Sequence, residues 1–142
     1  ELEARAASLP AGAVRFLGFK GQAELPEWYD LCDAFVLPSG QESWGLVFNE
    51  AMNAGRAIIA SDRIGSAGDL VTPGRNGEIF RCDEFEDFAR AIAAVIGDPR
   101  RLEAMGRESL AIINRWDFAA DIAGLRAALE AVCPGRVVAA RA

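Results

Sequence analysis

Glu42 and Glu50 are the residues whose type and spacing point to chemistry, two carboxylates with seven residues between them. If the stretch Leu46–Ala54 is helical, Glu50 follows Leu46 by four and Val47 by three, and Ala54 follows it by four. That places a carboxylate on a stripe of apolar residues. A charge there is costly unless a donor sits beside it, and a pair of vicinal ribose hydroxyls would supply two. Glu42 lies in a polar, glycine-containing loop, Ser39-Gly40-Gln41-Glu42-Ser43-Trp44-Gly45, where it could accept hydrogen bonds from hydroxyls. Free amides where that loop opens into the helix favour an anion such as phosphate. Gly45 would let the backbone approach a ligand closely, and Trp44 offers an apolar wall. Blander readings stay open at this point. Glu42 could be a solvated loop acid, Glu50 a tolerated edge position, Trp28 and Trp44 core residues, and Ser61 and Asp62 plain turn residues.

The bulk composition narrows the chemistry. The chain has 142 residues, one domain's worth, with a net charge of -6. Fifteen scattered basic residues do not make the clustered cationic surface that a nucleic-acid backbone requires, so no nucleic-acid partner is expected. There is no histidine and no Asp-x-Asp pair, which removes the commonest general base and the usual carboxylate-held divalent cation. No metal site is expected. The three cysteines, Cys32, Cys82 and Cys133, lack zinc or redox spacing and are expected as free thiols in a reducing cytoplasm. No apolar run approaches the roughly 20 residues that span a bilayer, and the first residues carry no signal-peptide pattern.

These residues need a scaffold, and hydrophobic patterning supplies one. Ala34–Leu37 and Ala57–Ala60 are short apolar runs of the kind buried in parallel sheets. Val14–Gly18 is a short strand candidate with β-branched and aromatic residues closed by a glycine, and Glu78–Phe80 is a last brief strand. Helical patterns cover Glu1 to Leu9, Glu24 to Asp33, Leu46 to Ala54, Gly65 to Leu70, and three closing segments of about Glu84–Ile96, Pro99–Ile113 and Phe118–Val132. Strand and helix alternate, which predicts an α/β fold, a Rossmann-like parallel sheet with flanking helices. In such sheets ligands bind beyond the carboxyl ends of the strands, so Pro38–Gly45 and Ser61–Gly68 are the candidate loops.

Taken in order, these motifs resemble a known family. The run from Glu42 through Met52, followed by Asn53-Ala54-Gly55, the Ala57–Ala60 strand and Ser61-Asp62, resembles the E-x7-E signature of retaining, GT-B-fold glycosyltransferases of the "group 1" family (family 4). Val14–Gly18, Tyr29–Ser39 and Gly65–Phe80 resemble the family's flanking segments, and the likeness runs from about residue 1 to about 117. It implies the C-terminal, nucleotide-sugar-binding half of a GT-B fold. Residues 1–133 would be the donor domain, incomplete at its start, and residues 134–142 a disordered tail.

By that resemblance Glu42 is the catalytic carboxylate that meets the donor sugar. Trp44, Gly45, Leu46 and Val47 present amides to the sugar and diphosphate, Glu50 holds the ribose, and Phe19 and Lys20 line the base. The implied reaction is metal-independent retaining transfer, with a nucleotide-sugar donor as substrate and no cofactor. The sequence departs from the family pattern in Gly65-Ser66-Ala67-Gly68-Asp69, which lacks paired glycines. An Arg- and Lys-bearing phosphate loop and the N-terminal acceptor-binding domain of the parent chain are expected upstream of Glu1.

The isolated chain is therefore expected to be inactive and to self-associate through exposed sheet edges. In the 3-2-1-4-5-6 strand order, two strands would lie between Val14–Gly18 and Ala34–Leu37. The parent enzyme would be cytoplasmic or peripheral to the inner face of the membrane. Two alternatives remain: a nucleotide-sugar epimerase or phosphorylase-like enzyme on the same fold, and a non-catalytic nucleotide-binding or interaction module. The transfer reading expects the Glu42 and Glu50 side chains to converge on a single nucleotide-linked saccharide, with a concavity between them.

Overall fold

The structure, a computed structural model, describes residues 1–133. Its centre is a parallel three-stranded sheet in the order β1-β2-β3, formed by β1 (Ala34–Leu37), β2 (Ala57–Ser61) and β3 (Gly77–Phe80). β1 pairs with β2 from Ala34 opposite Ala57, and β2 pairs with β3 from Ile58 opposite Gly77. Seven helices surround or flank it: α1 (Leu2–Ala6), α2 (Leu25–Leu31), α3 (Val47–Asn53), α4 (Ala67–Leu70), α5 (Phe85–Ile96), α6 (Pro99–Ile113) and α7 (Phe118–Val132).

β2 is buried along its whole length because both faces are covered. Its side chains alternate between two cores, as the period of two in a strand requires. Ile58 and Ala60 join Tyr29, Phe48, Met52, Leu70, Ile112 and Ile113 on one side. Ala57 and Ile59 join Phe80, Ala91, Val95 and Met105 on the other. The expected α/β architecture is therefore present, a Rossmann-like parallel sheet flanked by helices.

Local chemistry starts the long helices where the sequence marks them. Asp98 caps α6 by accepting from the Arg100 amide at 2.9 Å, with Pro99 in the first turn. Asp117 caps α7 through the Ala120 amide at 2.7 Å. The turn before β3 is locked from inside. Buried Asn76 donates to the Leu70 carbonyl at 2.9 Å and accepts from the Thr72 amide at 2.7 Å.

One expected strand is absent. Val14–Gly18 forms no strand, and Val14, Phe16 and Leu17 are exposed. An apolar run becomes a strand only if a neighbour takes up its amides and carbonyls. Among the described residues β1 pairs with β2 alone, and no other strand is offered to this segment. α1 and α7 are helical as expected but bury no side chain. The tail expectation for 134–142 falls outside the described residues. No helix among the described residues is long and apolar enough to cross a membrane.

Candidate functional site

The two candidate loops leave the carboxyl ends of β1 and β2 and are bound to one another along their length. The Glu42 amide donates to the Arg63 carbonyl at 3.2 Å, the Gly65 amide to the Glu42 carbonyl at 3.1 Å, and the Ser66 amide to the Trp44 carbonyl at 3.2 Å. The Ser66 hydroxyl donates to that same Trp44 carbonyl. Ser61, at the end of β2, donates through its hydroxyl to the Ser39 carbonyl at 2.6 Å. Gly65 is obligatory here, because a Cβ on it would sit 2.0 Å from the Ser43 carbonyl oxygen. Gly45 turns the chain into α3 with φ +87, a conformation that side-chain-bearing residues avoid. The pair of loops is thus a preformed platform rather than two independent excursions.

Glu42 sits on this platform, half-buried, in an open hollow of about 520 Å³ shared with Asp62, Arg63, Ile64, Gly65 and Gly68. Its carboxylate accepts from no side chain or amide among the described residues. The backbone amides of Gly45, Leu46 and Val47 likewise donate to no carbonyl among the described residues. Leu46 is exposed, whereas Val47 packs its side chain against the core. Trp44 is half-buried against Trp116, ring centroids 5.9 Å apart, so its ring is partly committed to packing.

Glu50 lies elsewhere. It lines a second hollow of about 460 Å³ with Gln22, Leu25, Pro26, Tyr29, Asp30 and Asn53. The sequence reading placed it on an apolar stripe of α3 needing a donor, and the donor is Tyr29, whose hydroxyl donates to Glu50 Oε2 at 2.8 Å. Burial, and next the bond to the Glu50 carboxylate, push the Tyr29 phenol up to about 12. Oε1 of Glu50 takes no donor among the described residues. The structure therefore does not bring Glu42 and Glu50 into one cavity; each lines its own hollow, at the two ends of the Glu42–Glu50 run.

Phe19 and Lys20 do not line either hollow. Phe19 is 95% exposed, and the Lys20 ammonium lies 4.9 Å from the Trp28 ring centroid and 3.9 Å from a Glu24 carboxylate oxygen. The residues that line the Glu50 hollow in their vicinity, Gln22, Leu25 and Tyr29, were missed as site residues by the sequence reading. Tyr29 had a signal, its place on one face of a short helix, but the contact to Glu50 spans 21 positions and exists only through the packing of α2 on α3. Burial pushes the Cys32 thiol up, and it donates to the Tyr29 carbonyl at 3.2 Å. Among the described residues no group of three or more histidine, cysteine or acidic side chains has metal-binding geometry.

Over 113 residues the chain is 34% identical to a D-inositol 3-phosphate glycosyltransferase of Catenulispora acidiphila, covering 80% of this chain and 26% of that one. It is 36% identical over 114 residues to the lipopolysaccharide core biosynthesis mannosyltransferase LpsB of Rhizobium meliloti, covering 78% of this chain and 32% of that one. The chain thus spans about a quarter to a third of the length of these relatives. Among solved structures, Anabaena HepE in complex with UDP-glucose superposes with a TM-score of 0.73 at 27% identity, over 92% of this chain and 36% of that one. The model of the family described as glycosyl transferases group 1 matches residues 1–110. With most of the chain matched and the sheet and loops arranged as above, the protein belongs to the group 1 glycosyltransferase family.

Proposed function

We propose that residues 1–133 are the nucleotide-sugar-binding domain of a retaining, metal-independent glycosyltransferase, with the ribose held at Glu50 and the donor sugar at Glu42. The observation that carries this reading is the state of the Glu50 carboxylate. One oxygen is pinned by Tyr29 at 2.8 Å and the other has no donor among the described residues, on the wall of an open hollow. A half-buried acceptor of that kind suits a vicinal diol. Separate hollows for the two acids fit a donor whose sugar and ribose are held apart by a diphosphate. The unpaired amides of Gly45, Leu46 and Val47 stand on the intervening stretch. HepE, a relative by structure, was solved with UDP-glucose, which supports the donor class.

In the proposed reaction the bond from the sugar's anomeric carbon to the diphosphate breaks, a bond from that carbon to the acceptor oxygen forms on the same face, and the acceptor's hydroxyl proton passes to the departing diphosphate. The departing diphosphate takes the electron pair. Its charge would be met by backbone amides and protein cations in place of a metal, which suits a sequence without histidine or Asp-x-Asp. Among the described residues the one cation lining the Glu42 hollow is Arg63, which lies 3.7 Å from the Asp62 carboxylate and is partly neutralised by it. The 142-residue chain alone is therefore expected to bind donor without transferring sugar, the acceptor being handled by another domain of a longer parent. Three free thiols suit a reducing compartment for that parent.

Titration calorimetry of the chain in EDTA, with nucleoside diphosphates and their sugar conjugates, tests the assignment. The sugar conjugate should bind at least several-fold more tightly than its parent diphosphate, and Glu42→Ala should erase that margin. Equal affinities would identify a nucleotide-binding module instead, and binding that vanishes in EDTA would overturn metal independence.

A further inference from the structure

We propose that Tyr29 is the positioning residue for Glu50, and that its hydroxyl sets how strongly this site prefers ribonucleotides over deoxynucleotides. The inference rests on the reading of Glu50 as the ribose acceptor and adds a second side chain to it.

The geometry is unusually constrained. Tyr29 is 8% exposed, and its ring meets Phe35 of β1 edge-on at 5.7 Å between centroids. Phe35 in turn meets Phe48 of α3 edge-on at 6.2 Å. Phe48 and Glu50 belong to one short helix, so the ring ladder and the carboxylate are fixed to a common frame. A tyrosine hydroxyl has a single proton to donate, and here it goes to Glu50 Oε2. That bond selects one rotation of the carboxylate and leaves Oε1 without a donor among the described residues, in a hollow that Gln22 and Asn53 also line. A vicinal diol needs both carboxylate oxygens at defined positions. A carboxylate free to rotate would pay that ordering cost on binding. Tyr29 pays it in advance.

The experiment compares, by calorimetry on the 142-residue chain, UDP with 2′,3′-dideoxy-UDP for wild type, Tyr29→Phe and Glu50→Gln, with the adenosine and guanosine pairs alongside. The affinity ratio within each pair does not depend on how much of a variant is folded. Wild type should prefer the ribonucleotide by about tenfold or more, the scale of hydrogen bonds to a charged acceptor. Glu50→Gln should remove most of that preference, and Tyr29→Phe should cut it to about a third or less of the wild-type ratio. A full preference retained in Tyr29→Phe but lost in Glu50→Gln would reduce Tyr29 to a packing residue and overturn the proposal alone. A wild-type chain that binds nucleotides without preference, or a Glu50→Gln variant that keeps it, would overturn the ribose role of Glu50 itself.

Discussion

A single hydrogen bond decides how Glu50 is presented, and the chain offers a direct probe of it. Tyr29 is the only tyrosine, so phenolate absorbance near 295 nm reports one residue. Its pKa is pushed up to about 12 by burial and by the Glu50 carboxylate, against an ordinary value of 10.0. The raised value means that the folded state holds the proton more tightly than the unfolded one. The stabilisation is complete below pH 10 and is lost as pH climbs toward 12. Spectrophotometric titration should find the folded midpoint near 12, a denatured midpoint near 10, and a lower folded midpoint in Glu50→Gln. A folded midpoint at the ordinary value would mean that the hydroxyl faces water. The loop platform makes an equally local prediction. A methyl on Gly65 would meet the Ser43 carbonyl at 2.0 Å, and backbone cannot yield as a side chain tip can. Gly65→Ala should therefore cost about 1–3 kcal/mol of stability, read by denaturant unfolding, and weaken sugar-nucleotide binding with it.

Elements became legible in the sequence to the extent that they depend on their own residues. Ala34–Leu37 and Ala57–Ala60 announced themselves as unbroken apolar runs because a doubly covered strand has no polar face to display. α6 and α7 start behind Asp98 and Asp117, whose side chains cap the first turn by accepting from the Arg100 and Ala120 amides. Val14–Gly18 misled for a physical reason: strand identity belongs to a pair, and among the described residues no second strand meets that segment. The site divided the same way. The need of Glu50 for a partner followed from its place on an apolar stripe, but the identity of Tyr29 as that partner required the fold. Asn76 was passed over for the same reason, being a turn residue by type and an internal clasp by position. With its side chain bonded to the Leu70 carbonyl and the Thr72 amide, Asn76→Ala should leave both without their partner and cost about 1–3 kcal/mol. Hydrogen exchange should show the loss concentrated in the Leu70–Phe80 turn and β3, and uniform destabilisation would argue against a local clasp.

At the scale of the whole molecule, two surfaces lack among the described residues the partners that their chemistry calls for. The outer edge of β1 pairs with nothing among the described residues, although its side chains are half-buried on both faces. An unpaired edge of that kind is a template for another strand. α7 carries Phe118, Ile122, Leu125, Leu129 and Val132 at alternating spacings of four and three, all exposed, and so displays an apolar stripe along one face. Five large apolar side chains in a row are more than scattered exposure explains. The isolated chain is expected to associate with itself, and sedimentation velocity across a concentration series would reveal it as a rising weight-average sedimentation coefficient. Because α7 buries no side chain, a chain ending at Asp117 should keep its core and separate the two causes. Association that survives this truncation belongs to the β1 edge, association that disappears belongs to the helix, and an intact chain that stays monomeric at high concentration would show that neither surface is sticky enough to matter.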